Sequence, residues 1–124
     1  MPIETSIDSR TGLRTHVATG TLTPDELVSE LRNAYRRPDY RPEARSLCDL
    51  REAAGEAFTG EEIRRVVETV LQHRGAPPGT RTAIVVARDL SFGLARMFAH
   101  QLEAKSHSDV MVFRDMDKAV AWLE

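Results

Sequence analysis

The chain has 124 residues, 41% of them hydrophobic, with a formal net charge of −2 and one cysteine. This is the size and composition of one domain with a real core, residues 1–124, and it lacks the global basic field that attracts nucleic acid or an anionic membrane. No apolar run approaches the ~20 residues of an integral membrane segment. "MPIETSIDSR" has no signal-peptide pattern, and the lone Cys48 forbids an internal disulfide and suits a reducing cytoplasm.

In chain order, "IETSIDSRTGLRTHVATG" reads as a β-hairpin with arms at residues 3–7 and 13–18 around the turn "DSRTG". "TPDELVSELRNAYRR" opens with a capping box: Thr23 caps, Pro24 takes the first helical position, and Glu26 sits three after the cap. Leu27, Val28, Leu31 and Tyr35 share one face of that helix. "RSLCDL" is a short strand and "REAAGEAFTG" a loop, with Thr59 capping the next helix, "EEIRRVVETVLQHRG". Ile63, Val66, Val67, Val70 and Leu71 form its apolar stripe, and Gly75, Pro77 and Pro78 stop it. "RTAIVVAR" is apolar on both faces, as a central parallel strand should be. A helix from about Ser91 to Lys105, the strand "DVMVF" and a last helix burying Met116, Ala119, Val120 and Leu123 complete the chain. The order is ββαβαβαβα, which implies an α/β fold with a mostly parallel sheet and an antiparallel first strand at one edge.

That order, together with "SLCDLREA", "FGLARMF" and the ending "VFRDMDKAVAWL", resembles the SpoIIAA-like proteins of the STAS superfamily, often described alongside SEC14-type lipid-binding domains. The resemblance covers most of the chain. It implies five strands, four helices, and a binding or signalling role more than an enzyme. Relatives that antagonise anti-sigma factors carry a phosphorylatable serine in an Asp-Ser-Ser-Gly-type motif opening the helix after the third strand. The corresponding place here reads "AFTGEE", so Thr59 is the nearest equivalent of that phosphosite. The pair Asp8-Ser9 falls in the first hairpin turn, away from it.

The residues offer few catalytic patterns. No two of His16, His73, His100 and His107 lie three or four apart, and no cysteine pair accompanies them. They read as surface histidines near helix ends, with neither metal nor cofactor expected. Cys48 sits inside a strand and reads as a buried structural thiol. No G-x-S-x-G, P-loop or G-x-G-x-x-G is present. "AYRRPDYRPEAR" interleaves Arg36, Arg37, Arg41 and Arg45 with Tyr35 and Tyr40. Its charges read as helix-end and loop arginines, with no nucleic acid expected.

Two surfaces stand out instead. The carboxyl ends of parallel strands are the usual binding edge, and they gather Asp49 and Arg51, then Arg88, Asp89 and Ser91, then Arg114 and Asp115. Such residues could form a polar rim for an anion or a partner loop. The plainer account, which carries more weight, is caps and ion pairs, Ser91 and Asp115 being good N-caps. On a helical wheel, Leu94, Ala95, Phe98 and Leu102 face the core. Phe92, Gly93, Arg96, His100 and Glu103 lie opposite with Met97 at the flank, and this outward face reads as a docking surface. The sequence therefore implies a non-enzymatic, cytoplasmic STAS-type interaction module, a homodimer with a regulatory protein partner. The alternative is a small carrier of an apolar or lipid-like ligand, with Phe92, Met97 and Phe98 lining its groove.

Overall fold

The computed structural model describes residues 2–73 and 79–124. Strands β1 (Ile3–Ile7), β2 (Arg14–Thr21), β3 (Ser46–Ala54), β4 (Arg81–Val85) and β5 (Asp109–Phe113) form one sheet in sequential order. Helices α1 (Pro24–Tyr35), α2 (Gly60–His73), α3 (Asp89–Lys105) and α4 (Met116–Leu123) complete the expected ββαβαβαβα order. β1 runs antiparallel to β2, and all later neighbours are parallel.

Because the sheet grows in one direction, the crossovers through α1, α2 and α3 share a hand and put these helices on one face. The chain ends at β5, so α4 folds back over the opposite face, against β3, β4 and β5. Side chains alternate along each strand. Cys48, Ile84 and Val110 therefore face α1–α3, while Leu47, Ala83 and Val85 face α4.

Several local readings need correction. β2 extends to Thr21, and β3 runs on to Ala54 through residues expected to be loop. Pairing with β2 extends β3 with a bulge, in which Leu50 and Arg51 together oppose Ala18. The extra residue resets the alternation, so Leu50 and Ala53 both turn toward the helices. α3 begins at Asp89 rather than Ser91, so Ser91 is inside the helix and does not cap it; Arg88 holds the cap position without a side-chain bond. Val120 is 42% exposed rather than core, and Trp122 takes its place against the α4 cluster. The residues expected to end α2, Gly75, Pro77 and Pro78, lie outside the described residues. The caps at Thr23 and Asp115 form as read, the first a complete capping box.

Candidate ligand cavity

The space between the sheet and α1–α3 is incompletely filled. The buried side chains there form three separate clusters around Val67 and Val86, around Ile3 and Leu22, and around Val28 and Val66. Between them lies a cavity of about 160 Å³. Leu27, Leu31 and Tyr35 of α1, Ile63, Val66 and Val70 of α2, and Leu94, Ala95, Phe98 and Leu102 of α3 form its roof. Its floor carries short side chains, Ser46, Cys48, Ala53 and Thr82, with Leu50 and Ile84. Small residues under bulky helices leave the layers apart without filling the gap, which is how an α/β core acquires space for a ligand. Burial pushes the Cys48 thiol up to about 11, so it lines the cavity as a neutral thiol.

The polar groups of the cavity gather at the amino ends of the parallel strands, opposite to the edge favoured by the sequence. Arg14 opens β2 and lies against two rings, its guanidinium carbon 5.3 Å from the centre of Tyr35 and 5.1 Å from that of Tyr40. Its Nε donates to His16 Nε2 at 3.1 Å. His16 Nδ1 lies 2.7 Å from Thr5 Oγ1, and that hydroxyl donates to Glu30 Oε2 at 2.6 Å. Thr5 has one proton and gives it to Glu30, so His16 carries its own proton on Nδ1 and is a neutral acceptor toward Arg14. Burial, with the nearby Arg14 charge, pushes His16 down to about 3, which agrees with the neutral ring. His16 is 2% exposed, a correction to its reading as a surface histidine. Ser46 and Thr82 share a hydrogen bond of 2.8 Å on neighbouring strands, and both line the same end.

No family model and no curated protein matches this chain. Among solved structures it is similar to an uncharacterized protein of the DUF3478 family from Shewanella loihica PV-4, which has a SpoIIAA-like fold. The TM-score is 0.63 at 20% identity, over 98% of this chain and 94% of that one. The fold is SpoIIAA-like, the fold of STAS domains. At that identity the likeness carries architecture alone, and the element order and sheet topology agree with it.

Within the SpoIIAA-like frame, the predicted strand-end rim resolves into separate pairs. Asp49 and Arg51 form a two-pronged ion pair, with both contacts at 2.9 Å, and that pairing holds the Asp49 carboxyl below the usual range. They lie on the α4 side of β3, across the sheet from the cavity. Arg88 bonds Glu56, Arg114 bonds Asp89, and Asp115 caps α4. These charges do not converge on one point; caps and ion pairs account for them. Ser91 alone among the rim residues lines the cavity, at its carboxyl end.

The α3 face divides differently from the wheel. Gly93 opens onto free space, and Arg96 and Met97 are exposed as read. Phe92 is half-buried against the core, with the Arg114 guanidinium carbon 4.6 Å and that of Arg96 5.8 Å from its ring centre. The reason is Ala99, which is buried. With Phe92, Ala95 and Leu102 it makes one stripe at helical spacing, rotating the helix enough to draw Phe92 inward. Met97 lies by the start of α2, near Gly60, and lines no part of the cavity, whereas Phe98 does. Thr59 is exposed at that same start, with its Oγ1 3.5 Å from the Glu62 amide.

The sequence reading missed Arg14, His16, Tyr35 and Tyr40 as a group. The available signal was the alternation Arg14, His16, Ala18, which carries a cation and an imidazole on the inward face of an interior strand. Polar residues seldom occupy such positions without a partner or a task. The arginine-rich loop, meanwhile, ties down the fold. Arg37 bonds the Thr5 carbonyl and Asp39, Arg41 the Ser9 and Arg10 carbonyls, and Arg45 the Leu123 and Glu124 carbonyls.

Proposed function

We propose that this protein binds and carries a small apolar, lipid-like molecule, acting by binding rather than catalysis. The cavity of about 160 Å³ between sheet and helices carries this reading. An apolar cavity of about 150 Å³ suffices to take up a benzene-sized guest. This one is also long, reaching from Tyr40 and Ser46 at the amino ends of the strands to Gly55 and Ser91 at the carboxyl ends. Its walls are largely aliphatic and aromatic, with most of their polar groups gathered at the amino end and Ser91 at the other, the pattern of a site that encloses a tail and orients a head. The neutral Cys48 and His16 have no arrangement for activating a nucleophile.

The test is native mass spectrometry of gently purified protein, with titration of the neutral apolar fluorophore N-phenyl-1-naphthylamine. A retained small-molecule mass, or saturable fluorescence competed by aliphatic compounds, is expected. Protein with no adduct and no saturable fluorescence would rule out the carrier reading.

A STAS-type homodimer is the second reading, favoured by the exposure of Leu90, Gly93 and Met97 on one side of α3. The same spectra report it: a dimer that becomes a monomer in Met97→Glu supports self-association through that face. A monomeric parent removes it.

A further inference from the structure

Arg14 has an unusual position for a charged residue. It lines a largely apolar cavity, and no carboxylate among the described residues forms an ion pair with it. Among the described residues, only its Nε donates a side-chain hydrogen bond, to His16. Its two terminal amino groups donate to no described residue. The tyrosine rings on which it lies hold the guanidinium plane without neutralising its charge. The one acidic group in the network, Glu30, is taken up by Thr5 and lies behind the histidine. Arg14 is half-buried there, and the aromatic contacts hold its charge without cancelling it. Its free edge is the donor fork that a planar anion accepts in parallel.

We propose that the ligand is an amphiphilic monocarboxylate: an apolar tail in the cavity between the sheet and α1–α3, and a carboxylate held by the terminal amino groups of Arg14. This rests on the carrier reading above and names its ligand class. Ser46 and Thr82 line the same end and share one hydrogen bond, so whichever hydroxyl accepts in that pair keeps a proton to donate to a carboxylate oxygen. His16 is the positioning residue. By accepting from Nε it turns the opposite edge of the guanidinium toward the ligand, and as a neutral ring it adds no competing charge. One cation matches one carboxylate. A phosphate monoester, with up to two charges, would leave charge unbalanced, because Arg14 is the only Lys or Arg among the cavity's described lining residues.

The experiment is isothermal titration calorimetry of the full chain at pH 7.5 with decanoate, decanol and decyl phosphate. Decanoate should bind about tenfold tighter than decanol, the scale of charge-assisted hydrogen bonds, and tighter than decyl phosphate. Arg14→Gln should abolish the preference for decanoate while leaving decanol binding in place, and that retained binding shows that the variant is folded. Should Arg14→Gln fail to fold, Arg14→Lys replaces it. It keeps the charge but loses both the fork and the bond to His16, so the preference should shrink. Decanol binding as tightly as decanoate to the parent would overturn the headgroup assignment while sparing the carrier reading. Tighter binding of decyl phosphate would replace carboxylate by phosphate, and a preference unchanged in the Arg14 variants would remove Arg14 from the site. Binding of none of the three would overturn the proposal together with the carrier reading.

Discussion

The two faces of the sheet use the same strands to opposite ends. On the α4 face, Leu47, Ala83, Val85, Ala119 and Leu123 form one buried cluster, with Phe113 and Trp122 packed at its side, 5.8 Å apart. At its margin Asp49 and Arg51 pair with each other, and Arg81 lies over the Trp122 ring and donates to the Trp122 carbonyl. On the α1–α3 face, three apolar clusters surround an unfilled cavity, and the charged residue at its end is held by aromatic rings and a buried histidine. A single short helix can settle into full contact with the strands beneath it. Three helices that must also contact each other are set by those mutual contacts, and their height over the sheet is not free to close every gap. The packed face therefore supplies stability, and the open face supplies room.

The sharpest way to break this contrast is to enlarge one alanine on each face. Ala119 is fully buried between α4 and the sheet, and Ala119→Leu should cost about 3 kcal/mol, at the upper end of overpacking effects. Ala95 is also buried but borders the cavity. Ala95→Leu should cost less than about 1 kcal/mol, because the added carbons enter existing space. Urea denaturation midpoints decide it: equal losses would mean that the helix-side space is not available to a side chain.

The polar end of the cavity makes a smaller and pH-dependent mark. His16 is lowered from 6.5 to about 3 in the folded chain. Between those values the unfolded chain binds a proton that the native chain refuses, so stability falls as pH falls through the window and is unaffected by this group above it. The slope is about 1.4 kcal/mol per pH unit, or about 2 kcal/mol from pH 6.5 to 5. His16→Gln, which keeps hydrogen-bonding capacity without titrating, should flatten that limb relative to the parent. Comparing the two slopes cancels His73, His100 and His107. Parallel slopes would mean that His16 takes up a proton in the native chain as easily as in the unfolded one.

The smallest effect belongs to the margin of the packed face. Asp49→Ala removes a two-pronged ion pair whose arginine is well exposed to water, so solvent screening limits the loss to about 0.5–1 kcal/mol. Ligand binding should not change, since the pair lies across the sheet from the cavity. A calorimetric titration of decanoate against Asp49→Ala that differed from the parent would place the rim back in the site.

Much of the architecture was legible in local pattern. The capping box at Thr23, the stripe through Ile63, Val66 and Val67, and the doubly apolar "AIVV" each follow from chemistry within a few residues, and alternation of strands with helices implied the parallel sheet. Boundaries failed where a partner strand decided them. The chain from Arg51 to Ala54 is polar and small enough to read as loop, yet pairing with β2 makes it strand and inserts the bulge. Phe92 was misplaced because one alanine, Ala99, settles the helix rotation only once α3 lies on the sheet. Carboxyl-end charges were easy to see because a general rule points there, but each found a nearby partner.

What the sequence determined by itself is the SpoIIAA-like succession of elements, because capping, periodicity and turn chemistry act over short spans of chain. What only the tertiary structure decided is the cavity and its polar end. Thr5, Arg14, His16, Glu30, Tyr35, Tyr40, Ser46 and Thr82 come from β1, β2, α1, the loop after it, β3 and β4. Apart from the strand alternation that pairs Arg14 with His16, no spacing rule connects them. They meet because parallel strands bring their amino ends to one edge of the sheet, and because the helices above stand too far off to fill the space between.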